Sequence, residues 1–135
     1  MRRTTISDMG VLHRMRTRLA DALQGAAGAD GAYAGGRRLR QLKRYREAAE
    51  AFEQAETQYR ERLGRTHSRV VDTMAQRAWC LVAMGLPKEA AELYRSAIEA
   101  KLINGDASKP TVGELRDLLA DADRRSAAGD LGVNT

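Results

Sequence analysis

An internal repeat limits what this 135-residue chain can fold into more than any other feature of it. Residues 45–55 (YREAAEAFEQA) align with residues 87–97 (PKEAAELYRSA) at an offset of 42 positions. Each segment has Glu-Ala, an aromatic residue four positions after that Ala, and another Ala three positions later. Small residues let neighbouring helices approach closely, and the one ring per unit fills the gap between them. Such a unit cannot bury its apolar face alone, so the units must stack.

Apolar residues recur at steps of three and four along most of the chain, which predicts helices. The aromatic content of 4% is low, which also favours helix over strand. Glycines end several of these segments, and Pro87 and Pro110 begin the last two. The predicted helices cover residues 7–24, 45–63, 68–84, 87–103 and 110–124.

Residues 25–36 (GAAGADGAYAGG) interrupt this pattern with five glycines. Glycine costs a helix about 1 kcal/mol relative to alanine. We therefore expect a loop or a loosely held start of a helix there, with order resuming by Arg37.

The segments predict one repeat domain with an extension at each end. Residues 1–28 form an N-terminal amphipathic helix and a Gly/Ala-rich linker. Residues 29–126 form the repeat domain, with units at about 29–66 and 67–105 and a C-terminal capping helix at 110–124. Residues 127–135 are predicted to be a disordered tail.

The second unit carries a series of regularly placed residues, which are Ala78, Leu81, Gly85, Glu89, Ala90, Tyr94 and Ala97. At these positions the chain resembles the consensus of the tetratricopeptide repeat. The connector from Leu63 to Val70 and the long period resemble the kinesin light chain type. The resemblance implies an all-α fold, a short right-handed α-solenoid of antiparallel helical hairpins with N-terminal and C-terminal capping helices. Lys43 departs from the pattern, because a glycine is expected in that turn.

The resemblance also implies a concave binding face, formed by the first helix of each unit. Trp79 is the leading candidate contact, with a buried core position as the alternative. Arg37 and Arg40, with Tyr33 nearby, suit an acidic segment or a C-terminal carboxylate. The positions carried over are Asp72, Ala75, Gln76, Trp79, Val82 and Ala83 in the second unit, Tyr33, Ala34, Arg37, Arg40 and Gln41 in the first, and Arg116 and Asp117 in the last helix.

The sequence offers no visible catalytic machinery. His13 and His67 lie far apart, and no His, Cys or carboxylate cluster has metal-ligand spacing. We interpret His67 as a capping or packing residue and Cys80 as a small core residue. We expect no enzyme activity, no cofactor and no bound metal.

Charge divides the chain into two parts. Residues 1–46 hold 11 Arg or Lys against 3 Asp, whereas residues 47–135 hold 12 Arg or Lys against 15 Asp or Glu. This asymmetry favours an acidic partner or a second copy of the chain, although a solvated surface without a partner is equally compatible. A homodimer would use the stripe of Leu12, Met15 and Leu19.

The expected function is a non-catalytic adaptor or scaffold that binds another protein or an acidic peptide. One alternative is nucleic-acid binding by the basic front half, since Arg outnumbers Lys 19 to 4. Another is a regulatory accessory subunit of an enzyme or transcriptional complex. No apolar run is long enough for a membrane span, and no signal-peptide core follows Met1, so we expect a cytoplasmic protein without membrane contact.

Overall fold

The computed structural model describes residues 28–130, and within that range every regular element is a helix. The predicted N-terminal helix at 7–24 and residues 131–135 lie outside it. We number the helices in chain order as α1 (residues 28–41), α2 (Tyr45–Leu63), α3 (Ser68–Ala83), α4 (Pro87–Asn104) and α5 (Val112–Asp130).

Each helix from α2 to α5 packs against its neighbour along the chain, as stacked hairpins require, and α1 packs against α2 through Gly36 and Phe52. The expectation of an all-α, tetratricopeptide-like solenoid is confirmed. The repeated positions of α2 and α4 carry the core, because their side chains are 0–1% exposed. Burying a ring such as that of Phe52 or Tyr94 contributes about 2–3 kcal/mol relative to leaving it in water. The six positions are Ala48, Phe52 and Ala55 in α2 and Ala90, Tyr94 and Ala97 in α4.

Helix α1 differs from the expectation for the glycine-rich stretch, since residues 28–36 are already helical. Gly36 is buried, and a Cβ built on it would lie 2.8 Å from Cε1 of Phe52. The missing side chain thus lets α1 and α2 approach closely. Tertiary packing overrides the low helix propensity of glycine at this position.

The turns that close the two hairpins have the same backbone hydrogen bonds. Arg44 N–H donates to the Leu39 carbonyl at 2.9 Å, and 42 positions later Leu86 N–H donates to the Leu81 carbonyl at 2.8 Å. Lys43 has φ +62° where the second turn has Gly85 with φ +79°. Lys43 therefore replaces the expected glycine without changing the turn, at the cost of a left-handed conformation.

Glu56 is the one glutamate of α2 that lies in the core. Its side chain is buried, with a carboxylate oxygen 2.5 Å from the Arg60 guanidinium and the other 3.0 Å from that of Arg77 in α3. A buried carboxylate needs such partners, because an unpaired charge in the interior costs several kcal/mol.

The boundaries of α5 differ from the predicted 110–124. The helix begins at Val112, because the Thr111 hydroxyl accepts a hydrogen bond from Glu114 N–H at 3.1 Å and so caps it. It continues to Asp130, so residues 127–130 are helical and not part of a disordered tail. Alanine at 127 and 128 has the highest helix propensity, and this local preference extends the helix past the repeat pattern.

Candidate partner-binding groove

Helices α1, α3 and α5 form a groove with α3 along its floor. Three adjoining cavities of about 270, 290 and 270 Å³ follow it, and Trp79 lines all three. The residues predicted from the repeat register that line these cavities are Arg37, Arg40, Gln41, Asp72, Ala75, Gln76, Trp79, Val82 and Ala83.

Trp79 lies at the boundary between groove and core. One side of its ring packs against the small core cluster around Phe52 and Cys80, where the Tyr45 ring lies 5.7 Å away between centroids. The other side faces the groove beneath Arg40, whose Cζ is 3.9 Å from the ring centroid. The ring is half-buried, so it serves as both a packing residue and a groove surface.

The guanidinium of Arg40 is held by uncharged groups. It lies over Trp79, a cation–π contact of about 0.5–2 kcal/mol, and donates from Nη1 to the Gln76 Oε1. Arg37, one turn earlier on α1, is exposed. Neither guanidinium forms a salt bridge among residues 28–130. The α1 wall of the groove therefore carries two positive charges without a neutralising carboxylate.

Tyr33 and Asp72 join α1 to α3 beside this wall. The Tyr33 hydroxyl donates to Asp72 Oδ2 at 2.5 Å. Burial, and then the hydrogen bond to the Asp72 carboxylate, raises the pKa of Tyr33 to about 12. Because this hydrogen bond joins Tyr33 of α1 to Asp72 of α3, it fixes the distance between the two helices.

The opposite wall comes from the α4–α5 loop and α5, and sequence reasoning missed most of it. The buried Lys101 holds the loop by donating to the Ser108 carbonyl at 2.5 Å and its hydroxyl at 2.9 Å. The acids of this wall have nearby cations: Asp121 lies 2.8 Å from Arg125, and Glu114 lies 4.0 Å from Lys109. The additional lining residues are Lys109, Pro110, Glu114, Leu118, Asp121 and Arg125.

Four predicted contacts do not line the cavities, and one of them is Tyr33, which joins α1 to α3 instead. Ala34 is exposed on α1, and Arg116 and Asp117 are exposed on α5. The repeat aligns α1 with α3, and this alignment indicates which of their positions face the groove. No further hairpin helix follows α5 among the described residues, so the repeat does not indicate which positions of α5 face the groove. Lys109 and Pro110 lie in a loop, for which the helical pattern gives no orientation.

The residues considered for chemistry have structural roles instead. His67 precedes α3, and its Nδ1 accepts a hydrogen bond from Arg69 N–H at 3.1 Å, so the capping interpretation is confirmed. Cys80 is fully buried, and burial raises the pKa of its thiol, which disfavours the thiolate. Within residues 28–130, no group of three or more His, Cys, Asp or Glu residues could hold a metal ion.

The profile of the tetratricopeptide repeat family matches residues 36–102. The chain is a tetratricopeptide repeat protein. The match runs from Gly36 in α1 to Leu102 in α4, so it contains most of both hairpins. Of the helices that form the groove, it contains all of α3 and residues 36–41 of α1. Comparison with curated proteins and with solved structures gives no match.

Tetratricopeptide repeats mediate protein–protein interactions, and the family is typically non-catalytic. Within the described part of this tetratricopeptide repeat protein, none of the helices has the combination of length and apolar character that crossing a membrane requires.

Proposed function

We propose that this tetratricopeptide repeat protein is a non-catalytic adaptor that binds a segment of another protein in the groove between α1, α3 and α5. The observation that supports this function is the arrangement around Trp79. A half-buried aromatic surface lines three adjoining cavities, and beside it two guanidinium groups have no carboxylate partner in residues 28–130. An apolar surface that is flanked by guanidinium groups, which form directional hydrogen bonds, suits a peptide segment.

The bound segment is acidic or ends in a free carboxylate. Arg37 and Arg40 are close enough to line one cavity with Trp79, so they can donate charge-assisted hydrogen bonds to the same carboxylate-rich segment. Trp79, Val82 and Leu118 line the neighbouring cavity and would accept an apolar side chain of that segment.

Nucleic-acid binding has less support, because much of the basic charge of the described residues is neutralised locally. Arg44, Arg69, Arg77 and Arg95 each lie within 3.0 Å of a carboxylate oxygen. Phosphate contacts need cations that are free to replace counterions. A regulatory accessory subunit would use the same groove, and it stays a prediction together with the cytoplasmic location and the kinesin light chain type of repeat.

Selection from a displayed library of C-terminal peptides tests the proposal. We expect enrichment of sequences with acidic residues near a free C-terminus, and loss of binding when that carboxylate is amidated. In the purified full chain, the paired change Arg37→Glu/Arg40→Glu should weaken binding of the selected peptide at least about tenfold, the equivalent of 1.4 kcal/mol.

The matched control is Arg38→Glu/Arg46→Glu, which makes the same change of charge at exposed positions that do not line the groove. Control and parent should bind equally, and all variants should have the same helical circular dichroism. Equal loss in both variants, or enrichment without acidic character, contradicts the proposed site. Retention of the chain on DNA or RNA at low salt would favour the nucleic-acid alternative.

A further inference from the structure

Helix α1 has a face without a partner among the described residues. Its other faces are occupied, since Gly36 meets Phe52 of α2, and Tyr33 and Arg40 contact α3. On the remaining face, a Cβ at Gly31 or Gly35 would meet no atom of residues 28–130 within 4 Å. Leu42, in the turn that follows α1 and in line with these positions, is 60% exposed.

We propose that the N-terminal segment at 7–24 folds back as a helix and docks in cis, antiparallel, on this face of α1. The spacing of the two stripes supports this pairing. The apolar residues of the segment occur at steps of three, four and four. Positions 42, 39, 35 and 31, followed from the turn after α1 back along the helix, have the same steps. The resulting pairs are Leu12 with Leu42, Met15 with Leu39, Leu19 with Gly35, and Leu23 with Gly31. Leu39 lies at the edge of this face, since it is partly buried against the core cluster around Phe52 and Cys80.

These pairs are also complementary in size. Two leucines of the segment meet two glycines of α1, so the helix axes can approach closely there. At the other end, Leu12 would cover the exposed Leu42. Gly31 and Gly35 lie one turn apart on the same face of α1, and each glycine lowers the stability of the helix. A close contact with another helix explains why small residues occupy these two positions.

The connection restricts where the segment can go. Only residues 25–27 separate it from Gly28, the first described residue of α1. Loops of two to five residues join antiparallel helices that pack side by side. An 18-residue helix is about 27 Å long, enough to follow all of α1, which at 14 residues is about 21 Å long.

Charge favours the same position. Residues 1–24 contain five Arg and two Asp, whereas α2, which adjoins α1, contains five Glu and three Arg. Glu50 and Glu61 of α2 are exposed and form no salt bridge among residues 28–130. A second copy of the chain could supply the same stripe, but a three-residue connection gives the segment in cis an effective concentration in the millimolar range.

Disulfide trapping in the full chain tests the register. In a Cys80→Ala background, the pair Leu12→Cys/Leu42→Cys should form an intramolecular disulfide at micromolar protein, at least about tenfold faster than the control pair Arg14→Cys/Leu42→Cys. Arg14 is two positions away and points to the opposite side of a helix. Equal rates for the two pairs overturn the proposal. A covalent dimer from the Leu12/Leu42 pair at low protein concentration also overturns it, in favour of a second copy.

Thermal melting of Gly35→Leu provides a second, independent test. On a bare helix face, leucine raises the melting temperature, since it is a better helix former than glycine. Under a docked Leu19, the added side chain obstructs the contact and the melting temperature falls. In a Leu19→Asp background, where docking is lost, the same change should raise the melting temperature. An increase in both backgrounds overturns the proposal.

Discussion

Gly36 and Phe52 fix the closest approach of α1 to α2. A Cβ on Gly36 would lie 2.8 Å from Cε1 and 2.9 Å from Cδ1 of the fully buried Phe52 ring. The ring is surrounded by core residues and cannot move aside without opening a gap elsewhere. The contact makes Gly36 a packing residue of the first hairpin.

We therefore expect Gly36→Ala to destabilise the protein, although alanine is the better helix former. Overpacking a tight core costs about 1–3 kcal/mol, and the gain in helix propensity is at most about 1 kcal/mol. Urea denaturation followed by circular dichroism should show a net loss of about 1–2 kcal/mol.

The control for this change is Gly129→Ala in α5, where a Cβ would meet no atom of the described residues within 4 Å. That variant should be as stable as the parent or slightly more stable. A Gly36→Ala protein as stable as Gly129→Ala would show that α1 and α2 adjust freely, which contradicts the packing role.

The sequence predicted the structure best where the determining interactions are local. The bounds of α2 agree with the prediction, because its stripe and the following Gly64 lie within one segment. The helical state of Gly36 depends on packing against Phe52 in α2, and the burial of Glu56 depends on its ion pair with Arg77 in α3. The periodicity of the sequence carries no information about such contacts between helices. The α1 wall and the α3 floor of the groove followed from the 42-residue register, whereas the α5 wall has no repeat partner in the described range to indicate it.

Arg40 covers the groove side of Trp79, the single tryptophan of the chain. We expect Arg40→Ala to expose the indole, shifting its emission to longer wavelength and increasing its quenching by acrylamide. Loss of the cation–π contact should lower the free energy of unfolding by about 0.5–1 kcal/mol. Arg37→Ala, which removes a guanidinium from the same wall but not from above the ring, should leave emission unchanged. Identical spectra for the two variants would place Arg40 away from the ring in solution.

Alkaline pH should destabilise the protein through two tyrosines. Burial raises the pKa of both Tyr33 and Tyr94 to about 12 from an ordinary value of 10.0. The folded state thus favours the protonated phenols. The corresponding stability is fully present below pH 10 and is lost as the pH rises through about 12.

Tyrosinate absorbance measured against pH checks this prediction. The parent should show a late phase near pH 12, coincident with unfolding, and Tyr33→Phe and Tyr94→Phe should each reduce its amplitude. Tyr33→Phe also removes the hydrogen bond to Asp72, so it should lower stability near neutral pH by about 0.5–1.5 kcal/mol. If all four tyrosines titrate together near pH 10, Tyr33 and Tyr94 are not buried as described.

Lys43 and Gly85 allow a reciprocal test of the hairpin turns. Both residues have positive φ, and both turns have the same backbone hydrogen bonds, so only the side chain differs. A non-glycine residue in the left-handed region costs about 1–2 kcal/mol. Lys43→Gly should therefore stabilise the protein by up to about 1 kcal/mol after the greater entropy of an unfolded glycine is included. Gly85→Ala should destabilise it by about 1–2 kcal/mol. Urea denaturation at neutral pH measures the change in the free energy of unfolding for both variants. An increase in stability on Gly85→Ala would contradict the left-handed turn.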